Sequence, residues 1–372
     1  MKFKNVAATG AVFVTVALAL SACSSSSTSG SSTSAATSTA SAGVVSTLDS
    51  SLKGTITAGG SSAQANAETA WTAAYVAQVA GVTVNYDKSQ GSGGGVTNWL
   101  AGSYDFAGSD SPLKADQQTS SQTICGTGGG LNLPVYLDGV AIIYNLPGVT
   151  SLNLSSATIA KIFNLSITTW NDPAIAADNP GVTLPSTTIT TVTRSDGSGT
   201  TQNFTNFLSA VDPTDWTYPA SNTWPIAGTS AQKGGSGVVQ AVGAGAGTIG
   251  YADHSAIGTA TAATVNKVAF SQDAATAAFT AGATTVPTTT GDLSQKFDYS
   301  KLTGATIYPI PLISYQIVCT TFKDPAQAAL TKSYVGYVAS TVGQAIAAKN
   351  AGSAPIPDSM LTQIQTSLAT VK

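Results

Sequence analysis

Residues 194–201 combine a cation, hydroxyl groups and two glycines in the order Arg-Ser-Asp-Gly-Ser-Gly-Thr-Thr, and they run directly into the apolar-periodic stretch 203–208. This pattern is typical of a turn that opens a helix. The first N–H groups of a helix are unpaired and carry partial positive charge, so they can bind an anion. Ser198 and Thr200 would add hydroxyl donors, and Arg194 would add a full charge. We expect a small anionic ligand here; the alternative is an ordinary capped turn, because the same residue types cap helices.

The charge balance of the chain argues against several classes of function. The 372 residues include 15 Lys and Arg and 18 Asp and Glu, only 9% of the chain, with a net charge of −3. So few cations cannot form the basic face that nucleic acids require. One histidine, His254, and the absence of a Cys-x-x-Cys pair leave metal binding and histidine catalysis poorly supplied. We therefore predict no metal and no cofactor.

The start of the chain indicates export. Lys2 and Lys4 precede an uncharged, mostly apolar run over residues 6–20, and the small residues Ser21 and Ala22 then precede Cys23. This is the layout of a secretory signal at residues 1–22, and it is too short for a confident membrane-spanning helix. The segment resembles the bacterial lipobox, which implies cleavage before Cys23, lipidation of its thiol and attachment to the extracytoplasmic face of the cell membrane. The alternative is an uncleaved anchor.

A polar segment separates this start from the rest of the chain. Residues 24–50 are mostly Ser, Thr, Ala and Gly, with no charge before Asp49. Such a composition cannot bury enough apolar surface to offset the entropy of ordering. We expect residues 23–53 to be the lipidated cysteine and a flexible stalk, and the remaining residues, about 320, to form two domains with proper cores.

Two further cysteines remain if Cys23 is lipidated. Cys125 and Cys319 then form a pair in an oxidising compartment, where a disulfide is the usual outcome. The alternative is two free buried thiols.

Strand and helix patterns alternate after the stalk. Strand patterns lie at 55–58, 82–86, 105–110, 133–144, 189–192, 248–251 and 310–318, and helix patterns lie after residue 62 and at 96–101, 156–163, 201–211, 234–242, 326–348 and 361–368. Residues 258–300, rich in Ala and Thr, suggest a surface β-ribbon. The early βαβαβ order predicts a parallel sheet with helices on its faces and ligands at the carboxyl ends of its strands.

Four glycine- or serine-rich segments occur in order at predicted strand ends. They are residues 58–62 (Ala-Gly-Gly-Ser-Ser), 91–96 (Gly-Ser-Gly-Gly-Gly-Val), 105–113 (Asp-Phe-Ala-Gly-Ser-Asp-Ser-Pro-Leu) and 194–201. Together they resemble the phosphate-binding protein of the bacterial high-affinity phosphate ABC transporter, and the resemblance spans residues 54–370. It implies an α/β, two-lobed periplasmic-binding-protein fold of type II, in which each lobe is a mainly parallel sheet flanked by helices.

The resemblance also implies a ligand set. In this family the anion lies in a dry cleft between two lobes, held by backbone N–H groups, hydroxyls, one arginine and one aspartate. Carried onto this sequence, the ligands are Ser62, the N–H of Ala63, Ser92, Asp110, Arg194, Ser198, Gly199 and Thr200, with Asp196 pairing with Arg194. The family often has a larger apolar residue at the position of Ala63, but a backbone donor would survive that change.

Asp110 is the most informative of these residues. A carboxylate facing a dianion is repulsive unless a proton lies between them, and phosphate carries such a proton at neutral pH whereas sulfate does not. A buried acceptor rejects a ligand that lacks the donor, by factors of about 10⁴–10⁵ in sites built in this way. The alternative for Asp110 is a cap or turn residue before Pro112.

Two lobes require two chain crossings if the closing helices return to the first lobe. We place the crossings near residues 138–145 and 309–315, which are extended and apolar, as a two-strand hinge. Lobe I is then 54–145 plus 312–372, and lobe II is 146–311. Closure over the anion would expel water and strengthen each hydrogen bond.

The expected function is binding of inorganic phosphate outside the membrane by a lipid-anchored monomer, without covalent chemistry, and delivery to a transmembrane permease. The alternatives are a surface-anchored phosphatase-like enzyme and an adhesin on the same fold. Ser198 lies between glycines, but Gly-Ser-Gly is not the Gly-x-Ser-x-Gly elbow of a nucleophile, and His254 is weak support for a base.

Overall fold

Strands and helices alternate along the described part of the chain, residues 43–372 of a computed structural model. The strands of this part are β1 (Gly54–Gly60), β2 (Val82–Asp87), β3 (Phe106–Ser109), β4 (Gly130–Asn145), β5 (Asn153–Leu154), β6 (Thr190–Arg194), β7 (Ser230–Gln232), β8 (Thr248–Asp253), β9 (Thr261–Ala262), β10 (Thr264–Val265), β11 (Ala283–Thr285), β12 (Gln295–Phe297) and β13 (Pro311–Cys319). The helices are α1 (Ala65–Val76), α2 (Gly91–Leu100), α3 (Ala115–Cys125), α4 (Ser156–Phe163), α5 (Pro173–Asp178), α6 (Gly199–Val211), α7 (Gly234–Ala244), α8 (Gln272–Gly282), α9 (Pro325–Val338), α10 (Thr341–Ala351) and α11 (Asp358–Thr370).

One mixed sheet has the strand order β2-β1-β3-β13-β4-β8-β6-β7, with β9 added beside β4. The predicted parallel pairing holds for β1 with β2 and β3, and for β6 with β7 and β8. The central strands are antiparallel, because β13 runs against both β3 and β4, and β4 runs against β8. The sheet thus consists of a first half with the parallel strands β1, β2 and β3, and a second half with the parallel strands β6, β7 and β8. The antiparallel strands β13 and β4 join the two halves, as in a two-lobed α/β binding fold.

Strand β4 runs through both halves of the sheet. Its residues up to Gly139 pair with β13, and its residues from Val140 onward pair with β8. Every residue from Gly130 to Tyr144 is buried. A strand covered on both faces reads as a largely apolar run, and residues 139–144 fit this pattern, whereas the buried polar residues Asn132 and Asp138 interrupt it nearer the start.

Both halves of the sheet have an aromatic core beside the strands. In the first half, Trp71 of α1 and Phe106 of β3 are fully buried. In the second half, Phe163, Phe204 and Tyr251 pack against one another with ring centroids 4.7–5.9 Å apart. Buried rings of this kind supply much of the apolar area that stabilises each half.

Three local expectations need correction. Residues 91–95 form the first turns of α2 rather than a loop before it, although Gly is a poor helix former. The range 258–300 contains the helix α8 rather than only a β-ribbon. The predicted helix 326–348 is two helices, α9 and α10. The chain leaves the helical conformation after Val338, and the hydroxyl of Ser340 caps the start of α10 by accepting a hydrogen bond from the N–H of Gly343.

The expected stalk boundary at residue 53 also needs correction. Val44, Leu48 and Leu52 pack against the hydrophobic core, and the carbonyl of Val44 accepts a hydrogen bond from Thr341 at 2.9 Å. These three apolar residues recur every four positions and can be buried together. Residues 44–52 therefore belong to the folded part; the signal segment, Cys23 and the start of the stalk lie outside the described residues.

The predicted disulfide is present. It joins Cys125, at the end of α3, to Cys319, at the end of β13. The bridge links elements 194 residues apart in the sequence, so it constrains a long loop of the unfolded chain.

The hinge and lobe ranges remain predictions. The antiparallel pair β11 and β12 lies within the range assigned to lobe II, yet the segment before β12 contacts the first half of β4. The N–H of Leu293 donates to the carbonyl of Asn132 at 3.1 Å, and Asp292 accepts from Asn132 at 2.9 Å.

Across residues 43–372, no helix combines the length and the apolar character needed to cross a membrane.

Candidate anion-binding site

The residues singled out by the sequence lie where strands end. Ser62 follows β1, Asp110 follows β3, and Arg194 is the last residue of β6. β1 and β3 are parallel neighbours, so their carboxyl ends share one edge of the first half. The second half meets this edge, because the N–H of Gly93 donates to the carbonyl of Gly197 at 2.9 Å. The candidate site is therefore a cleft between the two halves.

The carboxylate of Asp110 is buried and surrounded by hydroxyl groups. Its Oδ1 accepts hydrogen bonds from Ser61 and from Ser314, the latter at 2.6 Å. Its Oδ2 has two longer contacts, from Ser92 at 3.3 Å and from Thr200 at 3.5 Å. Burial raises the pKa of Asp110, while the hydroxyls of Ser314 and Ser61 act in the opposite direction. Oδ1 is thus held tightly, and Oδ2 is the oxygen with acceptor capacity to spare.

The backbone of Asp110 is fixed from both halves. Its N–H donates to the hydroxyl of Ser92 at 3.1 Å, and its carbonyl accepts from the amide of Asn203 at 2.6 Å. A side-chain carbon on Gly199 would lie only 2.5 Å from Cβ of Asp110 and 2.6 Å from Oγ of Ser92. Only glycine therefore allows α6 to approach this closely.

The guanidinium of Arg194 is paired with Asp196. Nε of Arg194 donates to Oδ1 of Asp196 at 2.7 Å, and Nη2 donates to Oδ2. The N–H of Gly234 also donates to Asp196, at 3.0 Å. Burial acts to raise the pKa of Asp196, but the hydrogen bond and charge of Arg194 outweigh it and hold that pKa below its usual value. Both side chains are therefore charged, and the two parallel hydrogen bonds fix the orientation of the guanidinium.

The start of α6 has the form that the sequence predicts. Ser198 is the N-cap residue, and its hydroxyl accepts a hydrogen bond from the N–H of Thr201 at 3.1 Å. The N–H of Ser198 donates to the carbonyl of Asn222 at 2.8 Å. The N–H groups of Gly199 and Thr200 are in the first turn, where a helix offers no partners of its own. This turn can therefore donate to an anion in the cleft.

The first loop is arranged differently from the prediction. The N–H of Ala63 donates to the hydroxyl of Ser61 at 3.0 Å, so it is occupied within the protein. The hydroxyl of Ser62 reaches the second half, where it accepts from the N–H of Gly235 at 3.4 Å. Ser62 thus lies against the start of α7, whereas Ser61 lies against Asp110.

The structure brings most of the predicted residues together. Ser92, Asp110, Gly199 and Thr200 are in mutual contact. The Arg194–Asp196 pair adjoins the start of α2, because a side-chain carbon on Gly91 would lie 3.5 Å from Nη2 of Arg194. Ser62 and Ala63 are at the same edge but contact other partners.

Sequence reasoning missed three residues that contact Asp110: Ser61, Asn203 and Ser314. Ser61 stands at a strand end, so the rule that selected Asp110 could have found it. Ser314 lies inside β13 among apolar residues, and its side chain has no local sequence signal. In residues 43–372, no group of three or more His, Cys, Asp or Glu side chains could hold a metal ion.

This fold and this cleft define a two-lobed binding protein. A family model described as a PBP superfamily domain matches residues 25–342. The phosphate-binding protein PstS 3 of Mycobacterium leprae is 36% identical over 324 residues, covering 84% of this chain and 86% of the relative. PstS 3 of Mycobacterium tuberculosis is 35% identical over 381 aligned residues, covering 99% of both chains. The chain therefore belongs to the PstS family of phosphate-binding proteins within the PBP superfamily.

Solved structures agree with this fold. The high-affinity periplasmic phosphate-binding protein PfluDING aligns with a TM-score of 0.67 at 23% identity, over 84% of this chain and 93% of that chain. The phosphate-binding protein from Stenotrophomonas maltophilia aligns with a TM-score of 0.64 at 21% identity, over 84% of this chain and 94% of that chain.

Proposed function

We propose that the cleft binds inorganic phosphate outside the membrane and that the protein delivers it to the permease of a phosphate ABC transporter. Membership of the PstS family supports this assignment. The single observation that carries it is the buried carboxylate of Asp110, which accepts hydrogen bonds from hydroxyl groups and lies opposite an arginine and a helix start in the other half.

Asp110 would select phosphate by accepting a hydrogen bond from its hydroxyl group. Ser61 and Ser314 hold Oδ1, so the phosphate hydroxyl would donate to Oδ2. The long contacts from Ser92 and Thr200 to Oδ2 leave these two hydroxyls free to turn toward an anion. Sulfate offers no proton, so binding it would leave a buried acceptor unpaired beside a second anion.

The proposed ligands are the eight residues that the sequence suggested: Ser62, Ala63, Ser92, Asp110, Arg194, Ser198, Gly199 and Thr200. Asp196 would hold the guanidinium of Arg194 in place. For Ala63 to contribute, its N–H must be shared with, or released from, the hydroxyl of Ser61. Ser198 can donate its hydroxyl hydrogen to the anion while its oxygen still caps α6.

The crossing strands would act as the hinge. We assign lobe I to residues 54–145 plus 312–372 and lobe II to residues 146–311, with β4 and β13 joining them. Within lobe II, Asp292 and Leu293 bond to Asn132, so the segment before β12 lies against lobe I. Hydrogen bonds between the halves, such as Gly93 to Gly197, would break on opening and reform on closure. Closure would exclude water and strengthen each bond to the anion.

The protein would bind phosphate without turnover. The hydroxyl of Ser198 serves as a helix cap, and the ring of His254 stacks on Phe270 with centroids 4.0 Å apart. Neither arrangement prepares a nucleophile and a base for attack on a phosphate ester. A monomer tethered through lipid on Cys23 would present the cleft to the permease.

Titration calorimetry of the purified protein with phosphate and with sulfate tests this function. We expect stoichiometric phosphate binding, at least 10³-fold weaker sulfate binding and no release of phosphate from an aryl phosphate ester. Binding of neither anion would overturn the assignment, and steady hydrolysis of the ester would favour an enzyme. For the tether, replacing Cys23 by Ala should release the protein from the membrane fraction.

A further inference from the structure

Asp253 is a second buried carboxylate at the cleft. It is the last residue of β8, which is parallel to β6, so its position corresponds to that of Arg194 at the end of β6. Its side chain has no exposed surface. Because ligands of such sheets bind beyond the carboxyl ends of the strands, Asp253 stands where a ligand-binding residue is expected.

The two oxygens of Asp253 differ in their partners. Oδ2 accepts a hydrogen bond from the hydroxyl of Ser255 at 2.8 Å. Oδ1 is buried and has no hydrogen-bond partner among the described residues. An unpaired buried acceptor costs free energy, of the order of 1–3 kcal/mol. Such an atom in a binding cleft points to a donor supplied by the ligand.

Oδ1 of Asp253 borders the same space as a proposed phosphate ligand. A side-chain carbon placed on Gly235 would lie 3.1 Å from Oδ1 of Asp253 and 3.6 Å from the hydroxyl oxygen of Ser62. The N–H of Gly235 itself reaches that hydroxyl. The unpaired oxygen, the hydroxyl of Ser62 and the start of α7 therefore meet at one point of the cleft.

The charges around Asp253 come from several elements. Asp138 of β4 shares Ser255 with Asp253, because the N–H of Ser255 donates to Asp138 and its hydroxyl donates to Asp253, and Tyr136 donates to Asp138. The charges of Asp110, at the end of β3, and Arg194, at the end of β6, also act on Asp253. The neighbouring His254 stacks on Phe270.

The balance of these charges keeps Asp253 ionised at alkaline pH. Burial raises the pKa of Asp253 to about 6; the hydroxyl of Ser255 opposes this shift, the charge of Asp110 adds to it, and that of Arg194 opposes it. The carboxylate is then an acceptor at pH 8.

We propose that Asp253 is the second proton acceptor of the phosphate site, so that bound phosphate shares one proton with Asp110 and another with Asp253. The proposal rests on the proposed function. The charge balance supports it, because Asp196 already neutralises Arg194 and both other carboxylates repel a dianion. A phosphate that carries two protons brings one negative charge fewer into the buried cleft.

The test is the number of protons taken up on binding at pH 8, measured by calorimetry in buffers of different ionisation enthalpy. Free phosphate at this pH is mostly the dianion with one proton, so wild-type protein should take up about one proton per phosphate. Its phosphate affinity should fall about tenfold per pH unit above pH 8. Asp253→Asn should take up almost no proton, because an amide can donate to the dianion directly, and its affinity should vary little with pH.

Asp105→Asn is the matched control. Asp105 lies at the other end of β3, is half-buried and accepts from Thr57, a role that asparagine retains. It should behave as wild type. Phosphate binding by wild-type protein without proton uptake would overturn the role of Asp253 and leave the proposed function standing, even if Asp253→Asn does not fold. Unchanged proton uptake in a folded Asp253→Asn would also overturn it, whereas failure of wild type to bind phosphate at any pH would overturn the proposed function itself.

Discussion

The two halves of the sheet present opposite chemistry to the cleft. The first half contributes the carboxylate of Asp110 within a set of hydroxyls, and no cation of residues 43–372 forms an ion pair with it. The second half contributes Arg194 and the start of α6, which present a charge and N–H donors. The first half therefore accepts a hydrogen bond through Asp110, whereas Arg194 and the start of α6 donate hydrogen bonds from the second half, in which Asp253 is the one proposed acceptor.

Because of this difference, the site can select an anion rather than only attract it. Any small oxyanion would satisfy the donors of the second half. Only an anion that still carries a proton satisfies Oδ2 of Asp110 as well, because the acceptor would otherwise stay unpaired. Selection by Asp110 and attraction by Arg194 thus reside in different halves, and substitutions can separate them.

Arg194→Met should have the largest effect, because it removes the positive charge of the second half and leaves the partly buried Asp196 without its partner. We expect phosphate affinity to fall on the order of 10³-fold and the free energy of unfolding to fall by about 3–5 kcal/mol. Calorimetry and denaturant titration measure the two effects.

The double variant Arg194→Met, Asp196→Asn separates them. Removing both charges should restore much of the stability without restoring binding. Near wild-type phosphate affinity in either variant would contradict the role of Arg194 as the attracting charge.

Asp110→Asn should change selectivity more than attraction. The amide can donate to an oxygen without a proton, so sulfate should gain and phosphate should lose affinity, and their ratio should shift about 10²–10³-fold toward sulfate. Competition calorimetry with both anions measures the ratio. Asp105→Asn serves as control, and an unchanged ratio in Asp110→Asn would mean that selection resides elsewhere.

Glu68→Gln tests a buried carboxylate of the first half that faces away from the cleft. Glu68 accepts from Tyr334 at 2.6 Å and from Gln316 at 2.7 Å, and burial raises its pKa from 4.5 to about 7 against both hydrogen bonds. The folded state therefore binds this proton more tightly than the unfolded state. Its stabilising contribution is complete below pH 4.5 and is lost as the pH rises through 7.

The wild-type protein should thus lose about 2 kcal/mol of stability from this group between pH 5 and pH 7. Glu68→Gln should remove that part of the pH dependence in denaturant titrations, while phosphate affinity stays within about twofold of wild type. A large change in affinity would show that Glu68 is coupled to the cleft after all.

Much of this architecture could be predicted because the signals are local. The alternation of strands and helices, the capped start of α6 and the residues at strand ends follow from periodicity and turn chemistry. The helical start of α2 could not, since four glycines within residues 91–95 favour a loop. Contacts with distant segments explain three of these glycines: a side chain would meet Asp196 at Gly91, Gly197 at Gly93 and Gly60 at Gly95. Contacts between distant segments, such as the hydrogen bond from Ser314 to Asp110, also could not be predicted. No local pattern distinguishes a buried serine that binds a carboxylate from any other buried serine.

Thr200→Val should have the smallest effect of these substitutions. It tests whether the hydroxyl of Thr200 binds the anion or only contacts Asp110. The hydroxyl of Thr200 belongs to the second half but contacts Oδ2 of Asp110 at 3.5 Å, too long for a strong hydrogen bond. If it turns to the anion on binding, valine should cost about 1 kcal/mol of phosphate affinity, roughly fivefold, and little stability. Ser209→Ala, near the other end of α6, is the control and should leave calorimetric affinity unchanged. Full affinity in Thr200→Val would assign this hydroxyl to Asp110 alone, and the second half would then donate only through Arg194 and the helix start.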